Sequence, residues 1–271
     1  MGFMGRIMGR ISITDLNRLK GMGERIACLT AYDATFARLC DRAGVEVILV
    51  GDSLGMVIQG GDTTLEVRLA DVIYHTRSVQ RGSERAIIVA DMPFMSYATP
   101  PAALGNAARL LSEGGAQVVK LEGGAWLAEC VRLLCERGIP VCGHLGLTPQ
   151  SIHRLGGYRV QGRAPEAAEA LRRDVEALCR AGAQMLVLEC IPRGLAAAIT
   201  ASVDIPVIGI GAGRDCDGQV LVLHDMLGVT GRSPRFSKDF LAPAGSVPGA
   251  LAAYVREVKS GIFPGPEHGF D

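Results

Sequence analysis

The sequence predicts an α/β protein built as one (β/α)8 TIM barrel. Three observations carry that expectation. Eight short apolar runs recur along 271 residues. Amphipathic helical patterns fill most of the intervals. Three of the runs also share one local grammar: a helix-stopping glycine, a small residue, a polar residue and then the strand, beginning at Gly44, Gly115 and Gly182. Repeated βα units of this kind make a parallel sheet with helices outside. Eight of them in this length favour closure over the alternative, an open doubly wound sheet.

The predicted strands are 26–30, 46–50, 86–90, 117–121, 140–143, 184–188, 206–210 and 220–223. Each is nearly continuous in hydrophobicity, as strands buried on both faces must be. Between them, Asp33 can cap a helix carrying Phe36, Leu39, Cys40 and Ala43 that stops at Gly44. Thr99 before Pro100 starts another, with Ala103, Leu104, Ala107 and Leu111 on one face. Trp126, Leu127, Cys130, Val131 and Leu134 form a core stripe ending at Gly138, and Ala167, Leu171, Val175 and Leu178 form one ending at Gly182. A last helix over 248–259 packs outside. Residues 1–10 read as a flexible leader and residues 11–271 as the catalytic barrel domain.

Composition excludes several classes. With 28 Lys+Arg against 28 Asp+Glu, the chain lacks the basic footprint of a nucleic-acid binder. The longest stretch without charge holds Pro93, Pro100 and Pro101, so it is no membrane-spanning helix. The N-terminus has no continuous apolar segment of a secretory signal. The eight cysteines show no C-x-x-C spacing and read as buried, reduced thiols.

In a parallel barrel, chemistry gathers at the carboxyl ends of the strands. Those positions are polar here: Asp52 and Ser53, Asp91, Lys120 and Glu122, His144, and Glu189. Lys120 interrupts an apolar strand. Alternation puts it on one face with Glu122, opposite Val119 and Leu121. If that face points inward, the lysine needs a partner, either Glu122 or a substrate carboxylate. Asp52, Asp91 and Glu122 offer hard oxygens of the type Mg²⁺ takes, and no His/Cys cluster suggests zinc. Such an ion would let a 2-oxo acid chelate and ionise, with Glu189 as the base. His75, His153, His224 and His268 have no ligand spacing to one another. The turn from Gly209 to Gly213 lacks dinucleotide spacing; an anion loop and an empty tight turn both fit it. The glycine-containing connection over 55–66 could close over the site.

Five longer motifs stand together: Val50-Gly51-Asp52-Ser53-Leu54-Gly55-Met56, Asp91-Met92-Pro93-Phe94-Met95-Ser96-Tyr97, Val119-Lys120-Leu121-Glu122-Gly123-Gly124, His144-Leu145-Gly146-Leu147-Thr148-Pro149-Gln150-Ser151 and Gly209-Ile210-Gly211-Ala212-Gly213. In this order, over about residues 11–270, the chain resembles the ketopantoate hydroxymethyltransferase family. The resemblance implies a (β/α)8 enzyme that uses Mg²⁺ and 5,10-methylenetetrahydrofolate to convert 3-methyl-2-oxobutanoate into 2-dehydropantoate, on the route to pantothenate and coenzyme A. It implies metal contacts from Asp52, Asp91 and Glu122, oxo-acid contacts from Asp52, Ser53, Asp91 and Lys120, and proton abstraction by Glu189, with His144 in support. It also implies a cytoplasmic homo-oligomer, commonly a decamer, acting on small molecules. Two other readings compete. A Mg²⁺-dependent lyase of the isocitrate lyase and phosphoenolpyruvate mutase group would need a cysteine loop that has no counterpart here. A catalytically silent barrel would not need this rim.

Overall fold

The computed structural model describes residues 9–231 and 233–271; residues 1–8 of the expected leader lie outside them. Eight parallel strands close on themselves: β1 (Ile26–Thr30), β2 (Val47–Val50), β3 (Ile87–Asp91), β4 (Val118–Glu122), β5 (Val141–Gly146), β6 (Met185–Glu189), β7 (Val207–Ile210) and β8 (Gly218–Leu221). β8 returns to β1, pairing Ile26 with Gly218 and Leu29 with Leu221. All eight expected strands are present. β5 runs further than expected, through His144 to Gly146. β8 begins earlier, at Gly218, and ends at Leu221. A side chain at Gly218 would place its Cβ 2.4 Å from the Ile26 carbonyl oxygen, so only glycine pairs that closely with β1.

Alternation divides the apolar residues into two cores. Leu29, Ile48, Ile88, Val119, Leu121 and Leu186 face outward, beneath the helices. Ile26, Val47, Ile87, Val89, Val118 and Met185 face the barrel interior. The floor of that interior is sealed by a helix the sequence reading did not single out, Ile13–Gly21. Ser12 caps it through a reciprocal box with Asp15 and delivers fully buried Leu16, with Ile11, onto the inner core. Arg10, within the expected leader, donates to the Ala86 carbonyl oxygen at 2.6 Å.

Asp33 caps the helix Ala34–Ala43 and Gly44 ends it at φ 92°. Thr99 caps Pro100–Ser112. The third expected stripe breaks in two, a 3-10 turn at Ala125–Leu127 and a helix at Ala128–Glu136. Trp126 therefore leaves the core: it is 64% exposed, lies 17° from parallel to the Tyr97 ring and covers Gly123. In the helix Pro165–Arg180, Leu171, Val175 and Leu178 are buried, whereas Ala167 is exposed. The last long helix, Val247–Ser260, buries Tyr254, whose hydroxyl reaches the carbonyls of Cys28 and Gln219, each at 2.8 Å. Among the described residues, no helix is long and apolar enough to cross a membrane.

Candidate active site

The inner face that carries Ile87 and Val89 on β3 continues to Asp91. The face that carries Val118 on β4 continues to Lys120 and Glu122, and Cys142 on β5 is followed by His144. The same alternation that fills the floor with apolar side chains thus delivers charged ones to the top. Register then sets the neighbours: Asp91 pairs with Lys120, Glu122 with His144, and Gly146 with Glu189.

The resulting cluster is continuous. The Lys120 ammonium donates to Asp91 Oδ1 and lies 3.8 Å from Glu122 Oε1. Sequence reasoning offered Glu122 or a substrate as its partner; the closest one is Asp91, because the two strands meet in that register. His144 Nδ1 is 3.1 Å from Glu122 Oε1, and its Nε2 is 3.2 Å from Glu189 Oε2. That second contact is an ion pair, and among the described residues Nε2 makes no hydrogen bond. Asp91 and Lys120 are 1% and 3% exposed.

Asp52 follows β2 on a tight turn. Its backbone N–H donates to Asp91 Oδ2 at 3.0 Å. Gly51 makes this approach feasible, since a Cβ there would lie 2.9 Å from Ser53 Oγ and 3.4 Å from Asp91 Oδ2. Ser53 Oγ meets the Tyr32 hydroxyl at 2.8 Å. Two residues that sequence reasoning gave no role complete the frame. Gln150 donates its side-chain amide to Asp52 Oδ2 (2.8 Å) and to the Met92 carbonyl (3.0 Å), and its backbone N–H to Glu122 Oε2 (2.9 Å). Tyr97 donates its hydroxyl to Gln150 Oε1 at 2.5 Å. Gln150 was visible only as part of a motif; its contacts lie far away in sequence and leave no periodic signature.

Electrostatics follow from burial and proximity. Burial, then Asp91 and Glu122, push the Asp52 carboxyl well above the usual range, against Lys120 and Gln150. Burial also works against ionised Glu122, but His144, Lys120 and the Gln150 N–H outweigh it and pull that carboxyl down. For Lys120, burial is overcome by Asp91, Glu122 and Asp52, and its pKa rises. For His144, burial and Lys120 oppose the imidazolium, yet Glu122 and Glu189 raise it to about 9. Four carboxyl groups thus share the cluster with two basic side chains, and burial together with this crowding is what raises Asp52; a further cation would relieve it.

The donors fit a hard divalent ion in type and in charge. Among the described residues, however, no group of three or more His, Cys, Asp or Glu side chains stands arranged around a metal position. Asp52, Asp91 and Glu122 are brought to one cluster, but Lys120 and Gln150 engage Asp91 and Glu122 from within. The cluster forms the floor of a cavity of about 810 Å³ that also takes in Met56, Thr64, Tyr158 and His224. Tyr158 donates its hydroxyl to Met56 Sδ at 3.6 Å, joining the loop after β5 to the short helix Leu54–Val57 after β2. The turn at Gly211 is explained by packing. Its φ is 62°, and a Cβ would lie 3.0 and 3.1 Å from the rings of Phe236 and Phe270. Cys190, directly after Glu189, is a non-glycine residue at φ 46° that lines the same cavity.

Fold and site together define a parallel-barrel enzyme with an acid–base cluster at the carboxyl ends of its strands. The family described as ketopantoate hydroxymethyltransferase matches residues 10–266, and the chain belongs to that family. The 3-methyl-2-oxobutanoate hydroxymethyltransferase of Methylococcus capsulatus is 61% identical over 96% of this chain and 97% of its own. A Pseudomonas fluorescens protein named 3-methyl-2-oxobutanoate hydroxymethyltransferase 2 is 60% identical over 97% and 99%. Among solved structures, a phosphonopyruvate hydrolase complex with oxalate and Mg²⁺ superposes with a TM-score of 0.62 at 12% identity, covering 94% of this chain and 92% of that one. A 2,3-dimethylmalate lyase of the PEP mutase/isocitrate lyase superfamily gives 0.59 at 18%, over 81% and 83%. At these identities the likeness concerns the fold.

Proposed function

We propose that the chain transfers a hydroxymethyl group from 5,10-methylenetetrahydrofolate to 3-methyl-2-oxobutanoate, forming 2-dehydropantoate and tetrahydrofolate with the uptake of one water. The observation that carries this reading is the unbroken run Asp91–Lys120–Glu122–His144–Glu189 on the floor of one cavity. Asp52, Asp91 and Glu122 are the residues that would hold a divalent ion, Mg²⁺ in this reading. When bound, it supplies concentrated positive charge for the keto and carboxylate oxygens to share.

The chain's own groups do the rest. Lys120, held by Asp91, neutralises the charge that develops on the substrate oxygens, and Ser53 and Asp52 orient the acid. Glu189 takes the proton from the carbon next to the ketone, while the imidazolium of His144 beside it fixes the carboxylate's direction. The electron pair left on that carbon attacks the one-carbon unit of the donor, and water supplies the hydroxyl. The loops joined by Tyr158 and Met56 narrow the cavity mouth, where water would compete. A cytoplasmic location and a decameric homo-oligomer belong to the same reading; exposed Tyr74, Met95 and Trp126 offer apolar surface for subunit contact.

The test is product formation from purified protein, Mg²⁺, the oxo acid and the folate donor, followed by mass spectrometry. We expect 2-dehydropantoate, its loss after exhaustive chelation and its return with added Mg²⁺. Turnover undiminished by chelation would remove the metal from the mechanism. Cleavage of a larger acid without folate would favour the lyase reading.

A further inference from the structure

The cavity is larger than a small branched oxo acid requires. About 810 Å³ is the scale that encloses a drug-sized ligand, and the mechanism uses only the side formed by β2–β6. The opposite side, above β7 and β8, has different chemistry. Asp225 lines it and is half-buried, with Oδ1 accepting from the Thr230 hydroxyl at 2.9 Å. Beside it, His224 also lines the cavity, and its Nδ1 is buried with no hydrogen-bond partner among the described residues. A buried polar atom of this sort costs free energy unless something meets it. Phe236 and Phe270 supply an aromatic wall, seated on Gly211. Arg159 and Arg235 are exposed and also line the cavity, the second with its guanidinium 5.3 Å from the centre of the Phe270 ring.

This wall adjoins the oxo-acid side. The Tyr32 ring lies 5.7 Å from that of His224, and its hydroxyl bonds Ser53. Occupants of the two sides would be neighbours, as transfer between them demands.

The inference rests on the folate-donor reading above. A reduced folate has three parts: a flat pterin with two adjacent N–H donors on its pyrimidine edge, an aromatic linker, and glutamate carboxylates. A carboxylate accepts two parallel N–H bonds well, aromatic rings pack on aromatic walls, and arginine is the preferred partner of carboxylates. We propose that Asp225, with His224 beside it, holds the pyrimidine edge of the tetrahydropterin, that Phe236 and Phe270 line the linker's path, and that Arg159 and Arg235 receive the glutamate carboxylates.

The experiment is calorimetric titration of the full-length protein, with Mg²⁺ and the oxo acid present, by two probes. One is 5-formyltetrahydrofolate; the other is a tetrahydropterin without the aminobenzoylglutamate arm. Asp225→Asn should weaken both probes by about tenfold or more, the scale of a hydrogen bond to a charged group. The Arg159→Ala/Arg235→Ala double variant should weaken the folate and leave the armless pterin as in the wild type. Because those arginines are exposed, this second variant reports even if Asp225→Asn folds poorly. Wild-type affinities in both variants would overturn the proposal alone, and so would equal weakening of both probes by the arginine variant. A wild-type protein that binds the oxo acid but neither probe would overturn the donor reading, and the proposal with it.

Discussion

Val118 and Lys120 lie two residues apart on β4 and point into the same barrel. Val118 joins Ile87, Val89 and Met185 in the apolar lower half, whereas Lys120 joins Asp91, Glu122 and His144 in the upper half. Strand geometry treats them alike, since alternation sends both inward. Their energetics differ in sign. Each buried aliphatic side chain below contributes about 1.5–3 kcal/mol. Each desolvated charge above costs free energy that only its partners offset. The packed lower half is the base from which the strands project the acidic and basic side chains of the upper half.

The sharpest way to break this arrangement is to remove the cation at its centre. Lys120→Ala leaves Asp91 buried without its counter-charge. We expect a loss of about 3–5 kcal/mol of stability together with near-complete loss of turnover, measured by denaturant unfolding and by product assay. Glu189→Gln asks about the chemistry alone. Glu189 is the most exposed acid of the run, with 13% side-chain exposure, so its stability cost should be small. The rate should fall about 10²–10⁴-fold, and exchange of the substrate proton with deuterated water should fall with it. Ile87→Ala on the floor is the mirror experiment. It should cost about 2–5 kcal/mol of stability while kcat at permissive temperature stays near that of the wild type.

The fold was legible because burial on both faces writes strands as continuous apolar runs, and the glycines at 44, 115 and 182 mark where helices end. The charged rim was legible for the same reason: Lys120 and Glu122 break an apolar run in phase. What the sequence hid depends on distant contacts. Gln150 gains its role by meeting Asp52, Glu122 and Met92 at once. Trp126 looked like one more core residue until a 3-10 turn carried it outside. Gly218 lay outside the expected eighth strand because its reason for being glycine, the Ile26 carbonyl, lies far away in sequence on the neighbouring strand.

A subtler contrast concerns pH. The inner apolar core holds the thiols of Cys28 and Cys142, which burial pushes up to the far alkaline side, whereas the rim above holds His144 at about 9, above its unfolded value near 6.5. A raised folded pKa means the imidazolium stabilises the fold fully below about pH 6.5. That contribution fades as pH rises through about 9. Thermal melting of metal-free protein should therefore drop across this window. His144→Gln should flatten the drop, and Ile87→Ala should only lower the whole curve.

The smallest expected effect lies at the floor's outer edge, and it separates support from chemistry most cleanly. Ser12 accepts from the Asp15 N–H and donates its hydroxyl to the Asp15 carboxylate at 2.7 Å, fixing the start of the helix that seats Leu16 against the inner core. Ser12→Ala removes that cap and should cost about 1 kcal/mol. The cluster sits at the other end of the strands, with a packed apolar layer between. If that layer is rigid, kcat and KM of the variant should match the wild type while its melting temperature falls by a few degrees. A change in kcat would mean that a loosened floor moves the charges above it, and that the two halves of the barrel are one mechanical unit.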